Sequence, residues 1–185
     1  WMRNAGNTEK DYQWYFNNSI ISGANGNTYP ISPVTTANAG NYYCMVSNLC
    51  GNTNSTMKIL TVNTGVSIAS QPVGNSICNG QSITFSLGTT GSQPVTFQWY
   101  KTGTGAISGA TGNSYTKSSV TTADAGTYYC IASNLCSNAT SNNATLIVNV
   151  PPVITAQSGS ATRCVGQSQS FNVTASGRPT PTYQW

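Results

Sequence analysis

Residues 107–142 read ISGATGNSYTKSSVTTADAGTYYCIASNLCSNATSN, and residues 21–56 read ISGANGNTYPISPVTTANAGNYYCMVSNLCGNTNST. The two stretches lie 86 positions apart and are identical at 23 of 36 positions. The same spacing continues outside them, because Trp99 and Trp185 are also 86 residues apart. A period of this length corresponds to one small domain per repeat, so it predicts a tandem array of domains.

The phase of the repeat divides the chain of 185 residues into one whole unit between two partial units. We predict a partial domain over residues 1–62, a complete domain over residues 63–150 and a partial domain over residues 151–185. Half-built domains leave apolar surface and strand edges in water, which isolated domains avoid. The arrangement therefore predicts a segment of a longer chain.

Within the repeat, apolar and polar residues alternate with the period of β-strands. Residues 81–87 read QSITFSL, and a looser alternation runs over residues 144–148. Turn-forming residues such as Asn79 and Gly80 separate such stretches at short intervals. About seven short strands fit into one repeat, which predicts an all-β fold of two packed sheets.

Two motifs of the repeat resemble those of immunoglobulin-like domains. FQWY at residues 97–100 looks like the third strand of such a domain, and DAGTYYC at residues 124–130 resembles the signature of its penultimate strand. Tyr128 stands two residues before that cysteine, where a tyrosine corner requires it. The chain most resembles the Cys-containing immunoglobulin-like repeats of large secreted and surface proteins of Bacteroidota, in which C-x-G, YQW, DAG-Y-C and N-x-CG recur. The resemblance implies tandem β-sandwiches.

The resemblance also assigns the aromatic residues to two faces. Asp124 is expected to cap the turn before the tyrosine-corner strand. We expect exposed rings to alternate outward, where they could contact carbohydrate or a partner, at Tyr43, Tyr100 and Tyr129. The expected core residues are Trp14, Trp99, Trp185, Tyr42, Tyr128 and Leu87.

The cysteines depart from the common immunoglobulin pattern, because Leu87 stands where the second-strand cysteine would form the inter-sheet disulfide. The predicted strand register places Cys78 and Cys136 at opposite ends of their domain, whereas a disulfide needs Cα atoms within about 7 Å. Cysteines at a fixed spacing favour an oxidising compartment outside the cell. The disulfide candidates are Cys44, Cys50, Cys78, Cys130, Cys136 and Cys164.

Four interpretations of these cysteines stay open. Cys78 could bond the hairpin cysteine of the following domain, and Cys136 the first-strand cysteine of the preceding one. A second possibility is a strained Cys130–Cys136 bridge within the hairpin. The third is a bond between neighbouring chains of a fibre, and the fourth is that the thiols are free, with Cys130 a small buried apolar residue.

The composition excludes most catalytic and metal chemistry. The chain has seven Lys and Arg residues, three Asp and Glu residues and no His, so an imidazole-based triad or zinc site is impossible. Glu9 and Asp11 lie outside the repeated motif and are interpreted as solvated charges, not as a glycosidase pair. We expect no catalytic residue, cofactor or metal. Scattered basic residues argue against nucleic-acid binding, and the apolar runs are too short to cross a membrane.

These observations predict a non-catalytic rod segment, structural or adhesive, of a secreted bacterial surface protein. The junctions around residues 63–65 and 150–152 are short, so domain-to-domain freedom is expected to be limited. Expected partners are neighbouring repeats of the same chain, copies of itself in a fibre or filament, and surface glycans or proteins. The alternatives are an accessory array of a secreted carbohydrate-active enzyme or protease, and a ligand-binding receptor ectodomain. The nearly identical hairpins SNLCGN and SNLCSN favour architecture over diversified recognition.

Overall fold

The structure, a computed structural model, describes residues 10–185. Glu9 therefore lies outside the described residues. The chain divides into two compact units, one ending at Thr64 and one beginning at Gly65. The described residues form β-strands and two short 3₁₀-helices, with no α-helix among them. The all-β prediction is confirmed.

The described residues of the first unit form one antiparallel sheet in the order β2-β1-β3-β4, with β5 also paired to β3. A 3₁₀-helix at Thr36–Asn38 precedes its long central strand. The strands are β1 Asp11–Phe16, β2 Ser19–Ile20, β3 Gly40–Asn48, β4 Gly51–Asn54 and β5 Lys58–Leu60.

The second unit contains a two-layered sandwich. Its larger sheet has the order β11-β10-β13-β15, with β14 paired to β13 and β7 paired to β15, whereas β16 pairs only with the second half of β15. The other layer consists of the pairs β12-β8 and β6-β9. A 3₁₀-helix spans Thr122–Asp124. The strands are β6 Ser67–Ser70, β7 Asn75–Cys78, β8 Ile83–Ser86, β9 Gly88–Thr90, β10 Thr96–Lys101, β11 Gly105–Ala106, β12 Ser114–Lys117, β13 Gly126–Ser133, β14 Asn138–Thr140, β15 Ala144–Gln157 and β16 Val173–Arg178.

The register of β10 on β13 decides which side chains of the larger sheet point inward. Trp99 lies opposite Cys130, and both side chains are fully buried. Phe85 of β8 closes the core from the other layer, since its ring stacks on that of Tyr128 with centroids 4.8 Å apart. The core of the sandwich thus forms between the sheets, as successive residues of a strand face opposite sides.

The sequence-predicted core residues take three different positions. Trp99, Tyr128 and Leu87 are buried in the sandwich of the second unit. Trp14 and Tyr42 are only half-buried, because the described part of the first unit holds no strand equivalent to β8. Trp185 departs from the prediction and is 79% exposed. It lies outside any strand, and no second layer covers it among the described residues.

The first strand of the sandwich divides between the two layers. β6 pairs with β9, whereas β7 pairs in parallel with β15. Gly74 lies just before β7, and a Cβ atom there would stand 2.3 Å from the backbone oxygen of Thr145. Only glycine therefore permits the close approach. The change of layer brings Cys78 opposite Asn149.

Strand β15 continues through the predicted boundary at residue 150. Its first half pairs with β13 and β7, and its second half pairs with β16. The pairing with β16 shifts register between Val150 and Val153, at a bulge that accommodates Pro151 and Pro152, which lack the N–H group of a regular ladder. One strand is therefore shared by the sandwich and the sheet that follows it.

The turn before β13 contains the predicted tyrosine corner. The Tyr128 hydroxyl donates to the backbone oxygen of Asp124 at 2.7 Å. Burial, together with the neighbouring Tyr115 and Asp124, raises the pKa of Tyr128 to about 12. Asp124 caps the turn as predicted, because its carboxylate accepts from the backbone N–H and the hydroxyl of Thr121 at 2.8 and 2.9 Å.

The first unit builds the same turn without a charge. The amide oxygen of Asn38 accepts from the backbone N–H and the hydroxyl of Thr35 at 2.7 and 2.9 Å. Tyr42 donates to the Asn38 backbone oxygen at 2.8 Å. Asp124 differs in one respect, since its carboxylate also lies 3.2 Å from the Lys117 ammonium.

Asp124→Asn tests the electrostatic part of this cap. Burial raises the pKa of Asp124, but hydrogen bonds from Thr121 and the nearby Lys117 ammonium outweigh it and lower the pKa below 3.8. The ionised carboxylate therefore stabilises the fold above about pH 4, and this stability is lost as the pH falls through the lowered pKa. For a partly exposed pair the loss is below about 1 kcal/mol.

Urea unfolding between neutral and acidic pH measures the difference. The variant should retain the turn, as Asn38 does, and be less sensitive to acid than the wild-type chain. Equal losses of unfolding free energy in both proteins on acidification would show that the Asp124 charge does not contribute.

Candidate functional site

The outward side of the β10–β13 pair carries a stacked pair of tyrosines. Tyr100 lies opposite Tyr129, with ring centroids 5.1 Å apart and planes within 8° of parallel. In the first unit Tyr15 and Tyr43 form the same arrangement, with centroids 4.8 Å apart and planes 2° from parallel. All four residues are half-buried.

Stacking changes what these tyrosines can bind. Each ring covers one face of its neighbour, so the pair offers edges, hydroxyls and outer faces, not a broad flat platform for a sugar. Adjacent Gln98 is fixed, because its amide donates to the backbone oxygens of Trp99 and Ile107 at 2.9 and 2.8 Å. The rings and the Gln98 amide are therefore held in fixed positions on this side of the sheet.

Sequence reasoning identified Tyr43, Tyr100 and Tyr129 but missed Tyr15. Tyr15 directly follows Trp14, as Tyr100 directly follows Trp99. Aligning the two tryptophans would have indicated the fourth member of the two pairs.

The charged side chains of the sandwich are largely satisfied within it. The Lys101 ammonium donates to the backbone oxygen of Ala123 at 2.6 Å and lies 5.8 Å from the centroid of the Tyr128 ring. Lys117 pairs with Asp124 at 3.2 Å. The sandwich consequently offers little unpaired charge to a partner.

The six cysteines form a buried and an exposed set, and none is in a disulfide bond in this structure. Cys44 and Cys130 are buried, one on β3 and one on β13. Burial raises the pKa of Cys130 to about 11, although a backbone hydrogen bond from Gln98 acts in the opposite direction. The Cys130 thiol is therefore protonated at neutral pH and behaves as a small apolar core residue.

The exposed cysteines occupy two kinds of turn. Cys78 and Cys164, here called the turn cysteines, each donate their backbone N–H to a glutamine three residues later, at 2.8 Å to Gln81 and 3.0 Å to Gln167. Cys50 and Cys136, here called the hairpin cysteines, each donate to an asparagine two residues earlier. Those distances are 2.8 Å to Asn48 and 3.0 Å to Asn134.

Potential metal ligands do not cluster in the part of the chain that the structure describes. Residues 10–185 contain no cluster of three or more His, Cys, Asp or Glu residues able to hold a metal ion. Among the same residues, no helix has the length and apolar character needed to span a membrane.

The sandwich, its buried tryptophan and its tyrosine corner define an immunoglobulin-like domain. Residues 67–134 match the family model of the immunoglobulin domain. The fold of the chain is therefore that of tandem immunoglobulin-like β-sandwiches.

Two human proteins are similar to this chain in sequence. Roundabout homolog 3 of Homo sapiens is 27% identical over 164 residues, which cover 86% of this chain and 12% of that protein. Kin of IRRE-like protein 3 of Homo sapiens is 31% identical over 143 residues, which cover 77% of this chain and 18% of that protein. The chain thus spans less than a fifth of either relative.

A solved structure of an I-band fragment from titin superposes with a TM-score of 0.67 and 20% identity, over 81% of this chain and 59% of that one. At this level of identity the likeness extends to the fold alone.

Thiol alkylation tests the division of the cysteines. Under native conditions iodoacetamide should modify the exposed Cys50, Cys78, Cys136 and Cys164, whereas the buried Cys44 and Cys130 should react only in denaturant. Peptide mass spectrometry of the reduced chain identifies each site. Rapid native labelling of Cys130 would contradict its place in the core.

Proposed function

We propose that this chain is a segment of an extracellular, non-catalytic rod of tandem immunoglobulin-like repeats in a surface protein. The motifs that resemble repeats of Bacteroidota surface proteins support a bacterial source. The observation that carries the proposal is strand β15, which runs from Ala144 to Gln157 and belongs to two sheets.

A shared strand restricts bending at the junction. In a flexible linker each residue rotates freely, whereas ladder hydrogen bonds fix the backbone on both sides of Pro151 and Pro152. Proline also fixes its own backbone angle φ, so Pro151 and Pro152 reduce the flexibility of the junction further. Repeats joined in this way would hold distant parts of a surface protein at a set separation.

The surface chemistry supports close association of such rods. Only 5% of residues are charged, and the sandwich pairs Lys117 with Asp124 internally. Long-range repulsion between copies is therefore weak, which supports lateral packing into a fibre.

A ligand-binding receptor ectodomain is the second candidate function. The stacked tyrosines support it, because Tyr100 with Tyr129 and Tyr15 with Tyr43 form an ordered aromatic contact surface at the same place in two units. Aromatic residues of this kind are enriched where proteins bind one another. The sequence likeness to Roundabout homolog 3 and Kin of IRRE-like protein 3 is compatible with this role.

Small-angle X-ray scattering tests the rod. Two glycines inserted after Pro152 should interrupt the shared strand, which makes the junction flexible and broadens the distribution of interatomic distances. The matched control is an insertion of two glycines after Gly103, in the turn between β10 and β11. The control should scatter like the wild-type chain. A wild-type chain as flexible as the junction variant would overturn the proposal.

A further inference from the structure

We infer that a disulfide bond joins each repeat to the next, between the turn cysteine of one repeat and the hairpin cysteine of the repeat that follows. This inference deepens the proposed rod and rests on its tandem arrangement. The two cysteine types occur at the same positions in successive repeats, since Cys78 and Cys164, like Cys50 and Cys136, are 86 residues apart.

The hairpin cysteine lies at the end of the sandwich where the chain enters. The residue after Cys136 is Ser137, whose hydroxyl accepts a hydrogen bond from the backbone N–H of Val66 at 2.9 Å. Gly65 and Val66 begin the second unit. The Cys136 hairpin therefore adjoins the point at which a preceding repeat connects.

The turn cysteine lies at the opposite end, where the chain leaves. Cys78 ends β7 and is paired with Asn149 of β15. From Asn149 the strand continues through Pro151 and Pro152 toward the sheet formed with β16. The Cys78 turn therefore adjoins the point at which the following repeat begins.

In a tandem array the leaving end of one repeat meets the entering end of the next. A turn cysteine is thus brought toward the hairpin cysteine of the following repeat. The same geometry separates Cys78 from Cys136 of its own repeat by the length of the sandwich. Of the four interpretations that the sequence left open, the strand pairing favours the bond between successive repeats.

The hairpin tip also carries an apolar side chain that lacks cover. Leu135 is 86% exposed beside Cys136, and Leu49 is 85% exposed beside Cys50. The leucine recurs at the same exposed position of both hairpins, as the proposed contact with a neighbouring repeat requires. A neighbouring repeat docked at this tip would cover the leucine and place the two thiols together.

The Cys130–Cys136 bridge is disfavoured by the same structure. The Cys130 side chain is fully buried in the core, whereas Cys136 is exposed in the hairpin. β13 continues from Cys130 to Ser133 before the hairpin begins. Joining the two would require withdrawing Cys130 from its contacts with the core.

Bond formation requires an oxidant, which we assign to a small-molecule or protein disulfide such as oxidised glutathione. The Cys78 thiolate attacks one sulfur of that disulfide and releases one thiol. The hairpin cysteine of the following repeat, as its thiolate, then attacks the Cys78 sulfur of the mixed disulfide and releases the second thiol. Two cysteine thiols are oxidised, two electrons reduce the disulfide, and the two thiol protons pass to the released thiols.

A chain with one extra repeat tests this pairing. Residues 65–150 are one period long, so a second copy inserted after Val150 keeps the phase. Both variants carry Cys50→Ser and Cys164→Ser, which removes the other two exposed thiols. In the forward variant, Cys136→Ser in the first copy and Cys78→Ser in the second then leave one turn cysteine followed by one hairpin cysteine in the next repeat. In the reverse variant, Cys78→Ser in the first copy and Cys136→Ser in the second leave the same two residue types in the opposite order.

Both variants are equilibrated in a glutathione redox buffer, alkylated and mapped by non-reducing peptide mass spectrometry. The forward variant should form a disulfide between its Cys78 and Cys136 peptides within one chain, and the reverse variant should keep both thiols alkylatable. Unreacted thiols in the forward variant, or equal disulfide formation in both variants, would overturn the inference. Scattering of the reduced chain tests the rod independently, so a rigid rod with unreacted thiols refutes the disulfide alone.

Discussion

The pairing of β10 with β13 is the constraint on which the rest of the sandwich depends. Trp99 opposite Cys130 fixes the inward side of the two strands, and Phe85 of the other layer packs against the tryptophan and Tyr128. Because a strand alternates its faces, the same register forces Tyr100 and Tyr129 outward together. If β10 shifted by one residue against β13, the side chains that now lie in the core would point outward and the tyrosines would point inward. The same register therefore determines both the core and the candidate contact surface.

Comparison of the two units shows which features of the turn before the tyrosine-corner strand can be exchanged. Asn38 and Asp124 build the same turn, and each holds a tyrosine through its backbone oxygen. The hydrogen-bond geometry of the cap is therefore the structural requirement, and the charge is an addition of the second unit. The composition is consistent with this requirement. Ser, Thr and Asn side chains form hydrogen bonds in turns and at outward strand positions without carrying a titratable charge.

The period of 86 residues, FQWY and DAGTYYC predicted the sandwich and its corner, since the alternation and turn chemistry they carry are local. Three features were beyond such reasoning because they depend on tertiary pairing. The stacking of Tyr15 on Tyr43 follows from the register of their two strands. Trp185 is exposed because no second layer covers it in the described structure. Pro151 and Pro152 predicted a junction, but the ladder continues past them because a bulge accommodates both rings.

The continuity of β15 is central to this account, and amide hydrogen exchange tests it residue by residue. The amides that link β15 to β16 beyond Pro152 should exchange slowly, together with those of Leu146 and Val148 in the sandwich. Protection that ends at Asn149, with exchange at the rate of an unfolded chain from Val153 onward, would contradict the shared strand and the rigid junction derived from it.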